Sequence, residues 1–186
     1  HPTYDKEDFV AADYDEIGDR IEVVAVGECG FDYYRKDGTD ENEKARQEKV
    51  FRAQIEFALE KDLPLMLHVR PSKGTMDAYK DAIQLLSEYK KVHGEKLRGN
   101  VHFFVGTPDI GLRFVDLDFT CSFTGVITFA EDYDETVRAL PLDHILTETD
   151  CPYATPVPFR GKRNEPKYVQ EVVRRIAELR DEDFDT

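Results

Sequence analysis

The chain has 186 residues, of which 40% are hydrophobic and 34% are charged, and its formal net charge is −14. This length supports one sizeable core, so we expect a single domain over residues 1–186. The composition fits a soluble globular protein, and the acidic charge argues against broad electrostatic attraction to nucleic acid. Since no apolar run approaches the ~20 residues that cross a bilayer, we expect no membrane span.

Hydrophobic periodicity alternates between two kinds of segment. Short Val- and Leu-rich runs bounded by Gly or Pro are typical of buried strands, and longer runs with one apolar face are typical of amphipathic helices. After a short surface helix within residues 1–20, the predicted elements are strand 22–26, helix 40–62, strand 63–69, helix 75–91, strand 100–105, helix 108–116, strand 119–123, helix 132–139, strand 143–148 and helix 166–179. Helices between successive strands indicate parallel strands, so the sequence predicts an α/β fold, open or barrel-like.

The three cysteines stand far apart in the chain. Cys29, Cys121 and Cys151 have no Cys-x-x-Cys spacing. An odd and scattered set favours reduced thiols, and so a cytoplasmic location, over a disulfide framework.

A strand that ends in acids and passes into a stiff basic loop lies at 145–166. Glu148 and Asp150 follow a short β-type run, and Pro152 then stops the strand. The loop that follows carries further prolines and the cations Arg160, Lys162 and Arg163. Such a stretch is how α/β proteins build the edge of a site, although an ordinary strand end with a surface loop would look the same.

Four residues capable of binding a metal fall at or near the ends of different predicted strands. They are Glu28, His68, His102 and Asp150. The carboxyl ends of parallel strands meet on one face, so these side chains form a plausible ligand set for Zn²⁺, Mn²⁺ or a similar ion, whereas Mg²⁺ would prefer more oxygen. The alternative is that the histidines are satisfied core residues and the two carboxylates accept backbone N–H bonds in turns.

Four segments together resemble the TatD family of metal-dependent deoxyribonucleases. In chain order they read GECGFDYY, LPLMLHVR, VHFFVG and TETDCPYATPVPFRGKRNEP. The likeness covers nearly the whole chain, and the last segment is long and highly specific. The resemblance implies a parallel (β/α) barrel of the TIM or amidohydrolase type, with a metal site at the carboxyl ends of its strands.

The resemblance also implies a reaction and roles for individual residues. The reaction would be metal-dependent hydrolysis of DNA phosphodiester bonds, typically exonucleolytic. Glu28 would be the carboxylate shared by two metals, with His68 and His102 holding one of them. Asp150 would hold the other metal and help to activate water, which makes Asp150 and Glu28 the catalytic residues.

The same resemblance suggests the cofactor and the substrate. Mg²⁺ is the expected ion, with Zn²⁺ and Mn²⁺ as alternatives. The partner would be DNA, either single-stranded or with frayed ends. From their charge and placement, Arg70, Arg160 and Arg163 would lie near phosphate oxygens.

Several departures from the family pattern affect these expectations. Family members begin with a strand that ends in an HxH pair, and this chain has no HxH. His1-Pro2 resembles the tail of a later HPH segment, with Thr3 in place of its second histidine. We therefore expect about five of the eight barrel strands, with truncation at the N-terminus and a slight loss at the C-terminus.

An incomplete barrel would expose sheet edges, which invites self-association. We expect weak metal binding and little or no nuclease activity from this chain alone. Two other functions stay open. One is hydrolysis of an amide or ester on the same scaffold, and the other is a non-catalytic role as an interaction partner.

Overall fold

The computed structural model of the chain describes residues 1–4, 7–34 and 40–184. The chain divides into two compact units, His1–Val101 and His102–Thr186. Our expectation of a single domain over the whole chain stays a prediction. No helix within the described ranges is long and apolar enough to cross a membrane.

The first unit alternates strands and helices in the predicted order. Short 3-10 turns at Ala11–Asp13 and Gly94–Lys96 accompany these elements. The elements are α1 (Asp15–Gly18), β1 (Val26–Asp32), α2 (Glu41–Glu60), β2 (Leu65–Arg70), α3 (Asp77–His93) and β3 (Gly99–His102), whose last residue opens the second unit.

The second unit also follows the predicted order. Its elements are α4 (Pro108–Val115), β4 (Phe119–Phe123), α5 (Asp134–Ala139), β5 (Ile145–Thr147) and α6 (Val169–Arg180). Short 3-10 turns precede α5, β5 and α6, and another follows β4; they are Gly125–Thr128, Glu131–Tyr133, Leu142–His144 and Pro166–Tyr168. The α/β class with parallel strands is confirmed, since β4 pairs in parallel with β5 and β1 with β2.

The bounds of β1 differ from the prediction. We predicted a strand at 22–26, whereas β1 begins at Val26 and Val24 is 75% exposed. The paired register runs from Gly27↔Met66 to Cys29↔Leu67, which leaves Glu28 as an extra residue in a bulge. An extra residue breaks the period-two pattern that reveals a strand, and bulges often re-aim a side chain beside a functional site.

Strand β2 separates the core of the first unit from its polar face. Leu65, Leu67 and Val69 are buried, while the alternate residues Met66 and Arg70 are exposed. Because side chains alternate across a strand, His68 shares the face of Met66 and Arg70. The buried side of the unit holds edge-to-face aromatic rings, such as Phe31 against Phe51 at 5.3 Å between centroids.

A chain of phenylalanine rings builds the core of the second unit. Phe104 packs edge-to-face on Phe114 and on Phe123, with centroids 6.3 and 6.2 Å apart. Phe114 in turn packs on Phe119, and Val172 of α6 is completely buried. These rings fix β4, and with it Ser122, which contacts the polar cluster described below.

The cysteines differ in environment, which leads to a prediction about thiol chemistry. Cys29 and Cys121 are buried, and burial raises the pKa of each thiol to about 12, whereas Cys151 is exposed. Because the thiolate is the reactive form, we expect one rapidly reacting thiol per native chain with a disulfide reagent at pH 8, and three in denaturant. Replacement of Cys151 by serine should remove the fast reaction. A second fast thiol in that variant would contradict the burial of the other two.

Candidate metal centre

Three side chains of the first unit offer ligand atoms to a single point. They are His1, Glu28 and His68, whose ligand atoms lie within 4.8 Å of one another. Oε2 of Glu28 is 3.7 Å from Nε2 of His1 and 3.2 Å from Nδ1 of His68. Two imidazoles and one carboxylate are a donor set that suits Zn²⁺, Mn²⁺ and similar ions, so these residues fit a divalent metal.

The buried carboxylate of Asp32 orients His68. Its Oδ2 lies 3.2 Å from Nε2 of His68, and only 2% of Asp32 is exposed. When Nε2 carries the proton and donates to Asp32, Nδ1 presents its lone pair towards Glu28. Burial lowers the pKa of His68, but the hydrogen bonds to Asp32 and Glu28 outweigh burial, so the pKa lies above its ordinary value.

Helix α2 holds Asp32 in place through Gln47. The backbone N–H of Asp32 donates to Oε1 of Gln47 at 2.9 Å, and Nε2 of Gln47 donates to the Asp32 carbonyl at 3.1 Å. Burial raises the pKa of Asp32, but the hydrogen bond with His68 and that from the Tyr34 amide outweigh it, so the pKa lies below its usual range. Asp32 therefore stays ionised and fixed, as a support for a ligating histidine requires.

A second cluster forms in the second unit around Glu148. Its Oε2 lies 2.5 Å from Nδ1 of His102, and its Oε1 accepts hydrogen bonds from the Phe103 amide at 2.6 Å and the Ser122 hydroxyl at 2.7 Å. Burial raises the pKa of Glu148, but hydrogen bonds from His102 and Ser122 outweigh it, so the pKa lies below its ordinary value of 4.5. An ionised Glu148 keeps the proton of His102 on Nδ1 and turns Nε2 towards Asp150.

Asp150 stands where the chain leaves β5. Its Oδ1 lies 3.8 Å from Nε2 of His102, and 30% of its side chain is exposed. The backbone of Asp150 has a left-handed φ of 49°. The buried side-chain amide of Asn164 donates to the carbonyls of Thr149 at 2.7 Å and Tyr153 at 2.5 Å, which fixes the loop on both sides of Asp150.

The three predicted phosphate contacts are all exposed. The guanidinium of Arg70 lies 3.8 Å from the ring centroid of Tyr34, and that of Arg160 lies 3.9 Å from the ring centroid of Phe129. Arg160 also donates to the Thr155 carbonyl at 2.8 Å. Arg163 lies on the surface of the same loop. Their role in binding phosphate stays a prediction.

The structure brings the predicted ligands together in pairs. Glu28 meets His68 in the first unit, and His102 meets Asp150 in the second. Glu28 and His68 lie inside β1 and β2, rather than at the strand ends where we placed them, whereas His102 ends β3. The metal-ligand roles of these residues stay predictions.

Sequence reasoning missed residues of both clusters. Asp32 lies four residues after Glu28, a spacing that places both on one face of a regular strand, but the bulge and the glycines hid that pattern. Glu148 stands beside Asp150 in the acidic strand end, yet its neighbours Ser122 and His102 become visible only in the fold. His1 belongs to the HPH-like segment, and nothing in the sequence alone places it beside Glu28.

The Glu148 cluster leads to a prediction about metal affinity. Loss of a carboxylate that orients a ligating histidine costs about 10- to 100-fold in metal affinity. We expect Glu148→Ala to weaken Zn²⁺ binding by this amount in calorimetric titrations and to remove the strongly hydrogen-bonded Nδ1 proton of His102 from NMR spectra. Glu165→Ala removes an exposed acid that pairs with Lys167 in the same region and should change neither signal. An unchanged His102 proton in the Glu148 variant would contradict this prediction.

Comparison with known protein families gives one match over the whole chain. Residues 1–186 match the family described as TatD related DNase. The chain is 40% identical over 172 residues to the protein named Uncharacterized metal-dependent hydrolase YabD of Bacillus subtilis (strain 168). The matched region covers 91% of this chain and 62% of that protein. It is 35% identical over 176 residues to the 3'-5' ssDNA/RNA exonuclease TatD of Escherichia fergusonii. That match covers 90% of this chain and 62% of the relative. The chain thus spans about three fifths of the length of these curated relatives.

Solved structures show the same fold. The crystal structure of YJJV, a TatD homologue from Escherichia coli K12, matches with a TM-score of 0.82 and 28% identity over 100% of this chain and 68% of that one. An uncharacterised amidohydrolase from Saccharomyces cerevisiae matches with a TM-score of 0.76 and 18% identity over 95% of this chain and 65% of that one. These matches confirm the predicted class, a parallel α/β fold of the TIM and amidohydrolase type, and the described part of the chain contains five strands.

Proposed function

Because the chain belongs to the family of TatD-related DNases, we propose that it is a metal-dependent hydrolase that cleaves phosphodiester bonds of DNA. The observation that carries this proposal is the convergence of His1, Glu28 and His68, which offers a divalent ion two imidazoles and a carboxylate. Relatives named as metal-dependent hydrolases and as a 3'-5' ssDNA/RNA exonuclease support it. A cytoplasmic location and self-association stay predictions.

The proposed ligands are Glu28 and His68, together with His1, in the first unit, and His102 and Asp150 in the second. A bound divalent ion supplies charge that neutralises a phosphate oxygen and lowers the pKa of water. Mg²⁺ is the ion we expect for a nuclease, while the imidazole ligands also suit Zn²⁺ or Mn²⁺. In the first unit, Glu28 provides the negative charge and His68 a neutral nitrogen that Asp32 keeps correctly oriented.

Asp150 is the proposed base of the reaction. Its carboxylate is partly exposed and is fixed at a strand end, where it can accept the proton of an attacking water. Glu148 cannot fill this role as readily, because its oxygens already accept hydrogen bonds from His102, Phe103 and Ser122. We therefore assign proton transfer to Asp150 and positioning of His102 to Glu148.

Three arginines are the proposed phosphate-binding residues of this strongly acidic chain. With a net charge of −14, the chain needs local cations to hold a phosphodiester. Arg70, Arg160 and Arg163 are exposed and suited to bidentate phosphate contacts. Single-stranded DNA and frayed ends expose the backbone and bases that such contacts would reach.

A matched panel of substrates tests the reaction class. The chain is stripped with EDTA, supplied with Mg²⁺, Mn²⁺ or Zn²⁺, and given end-labelled single-stranded DNA, an aryl ester and an anilide in parallel. Turnover by this chain alone should be slow, so the incubations are long, and whatever turnover is detected should be metal-dependent loss of nucleotides from DNA, with no comparable hydrolysis of the ester or the anilide. Asp150→Asn should lower the rate by about 100-fold or more, the usual effect of losing a general base. Metal-dependent hydrolysis of the ester or anilide without DNA cleavage would contradict the proposal.

The chain by itself should turn over slowly. It spans 62% of the curated relatives, and we expect weak metal binding with little or no DNA cleavage from its 186 residues. Metal titration of the stripped protein, followed by a long-incubation assay, measures both. Robust turnover would show this expectation to be wrong.

If His102→Ala left every activity unchanged, the metal ligands would be vestigial and a non-catalytic role would be favoured.

A further inference from the structure

Two adjacent tyrosines at the end of β1 have opposite environments. Tyr33 is 2% exposed, and its hydroxyl lies 3.1 Å from Oδ2 of Asp81 on α3. Tyr34 is 49% exposed and makes no contribution to that core. One face of its ring is covered by the guanidinium of Arg70, whose central carbon lies 3.8 Å from the ring centroid. An exposed aromatic ring with a cation over one face forms a platform, which we call the Tyr34–Arg70 platform.

The Tyr34–Arg70 platform is tied to the first metal cluster by two connections. Arg70 is two residues after His68 on β2, so both side chains leave the same face of the strand. The amide of Tyr34 donates to Oδ1 of Asp32 at 3.1 Å, while Oδ2 of the same carboxylate lies 3.2 Å from His68. The platform therefore shares a strand face with His68 and is joined to it through the carboxylate of Asp32.

The chemistry of the Tyr34–Arg70 platform matches one nucleotide of a single strand. Arginine stacked on an aromatic ring keeps its N–H donors at the edge of the plane, where they can contact a phosphate. Within the described ranges, no hydrogen bond of the Arg70 side chain occupies those donors. The exposed part of the tyrosine ring offers a surface on which a base can stack, whatever its sequence.

We propose that Tyr34 is a base-stacking residue of the substrate site, and that Arg70, stacked on its ring, contacts the adjacent phosphate. This inference rests on the proposed function, since it assumes a nucleic-acid substrate. It adds a residue that selects single-stranded nucleic acid over other phosphodiesters, because paired bases cannot leave their stack to reach the ring without a cost in free energy.

Binding of labelled oligonucleotides to the metal-stripped chain tests the inference without any turnover. The probes are a short single strand that contains the fluorescent base 2-aminopurine, and the same strand with abasic positions. Stacking on Tyr34 should quench 2-aminopurine, and the intact strand should bind about tenfold or more tightly than the abasic strand, within the range that one stacked base contributes. Tyr34→Leu should remove the quenching and the preference, and Tyr34→Phe should restore both.

Substitutions of the two residues of the Tyr34–Arg70 platform should differ in how they change the salt dependence of oligonucleotide binding. Arg70→Gln should reduce the slope of log affinity against log salt by about 0.7, the contribution of one phosphate contact on a single strand. Tyr34→Leu should leave that slope unchanged. The matched control is Tyr89→Leu on α3, because Tyr89 also has an arginine, Arg52, near its ring, at 6.0 Å. This control should bind like the wild type.

The outcomes distinguish this inference from the proposed function. If the wild-type chain cleaves DNA while Tyr34→Leu keeps the full preference for the intact over the abasic strand, the base-stacking role is contradicted and the proposed nuclease function is unaffected. If binding to the wild type quenches 2-aminopurine through Tyr34, yet the chain hydrolyses only esters or amides, the base-stacking role is supported and the proposed nuclease function is contradicted. Failure of the wild type to bind the single strand at all would overturn the inference.

Discussion

Replacement of Glu28 by alanine is expected to reduce divalent-metal binding in the first unit by at least about 100-fold, more than the loss of a residue that only orients a ligand. The reason is that Oε2 of Glu28 is the atom that both histidines face, 3.7 Å from His1 and 3.2 Å from His68. Without this carboxylate, the proposed ligand set is reduced to two imidazole rings with centroids 4.3 Å apart and has no anionic ligand for the cation. Calorimetric titration of Zn²⁺ or Mn²⁺ into the EDTA-stripped chain measures the loss.

Two further variants sharpen this experiment. Glu28→Gln keeps the size of the side chain without its charge, and it should lose nearly as much affinity as alanine if charge is what matters. Glu60→Ala removes an exposed carboxylate at the end of α2 and changes the net charge equally, so it should bind metal like the wild type. Equal affinities for Glu28→Ala and Glu60→Ala would show that Glu28 is not a ligand.

The second large effect is expected at Gly30, which lies between Glu28 and Asp32. Its φ of +132° is a conformation that side chains rarely adopt, and an added Cβ would collide with the backbone carbonyl of His68 on the neighbouring strand. Because the obstacle is backbone, it cannot rotate away. We expect Gly30→Ala to lower the free energy of unfolding by about 3 kcal/mol or more, a large part of a typical stability.

Gly74→Ala is the control that distinguishes the cost of a positive φ from the cost of the steric collision at Gly30. Gly74 also has a positive φ, +77°, but an added Cβ there would meet nothing within 4 Å. Its substitution should therefore cost only about 1–2 kcal/mol, the cost of left-handed backbone. Urea denaturation followed by circular dichroism compares the two variants, with separate transitions fitted if the two units unfold independently. Equal destabilisation would contradict the predicted collision with His68.

The order of the elements could be read from the sequence because periodicity is local. The residues of β2 alternate between buried and exposed side chains, and α2 carries apolar residues at helical spacing, so each pattern is visible without any neighbour. The prediction was wrong for the bounds of β1, where the bulge at Glu28 interrupts the alternation. A bulge is defined by the partner strand, and the sequence of β1 does not contain that information.

Glu28, His68, His102 and Asp150 could be selected from the sequence because their residue types and motifs are chemically distinctive. Their supports could not be selected in the same way. Asp32, Glu148 and Ser122 belong to the clusters only through hydrogen bonds between segments that are distant in the chain. The same limit applies to Tyr34, whose guanidinium partner lies 36 positions away on another strand.

The sequence by itself determined the α/β class, the order of strands and helices, and the residue types able to bind a metal. These properties follow from periodicity, from turn residues and from side-chain chemistry, all of which act over a few neighbouring positions. Only the tertiary structure decided that His1 joins Glu28 and His68, and that Glu148 rather than Asp150 holds Nδ1 of His102. These choices depend on distances of a few ångströms between remote segments, which strand register and packing set.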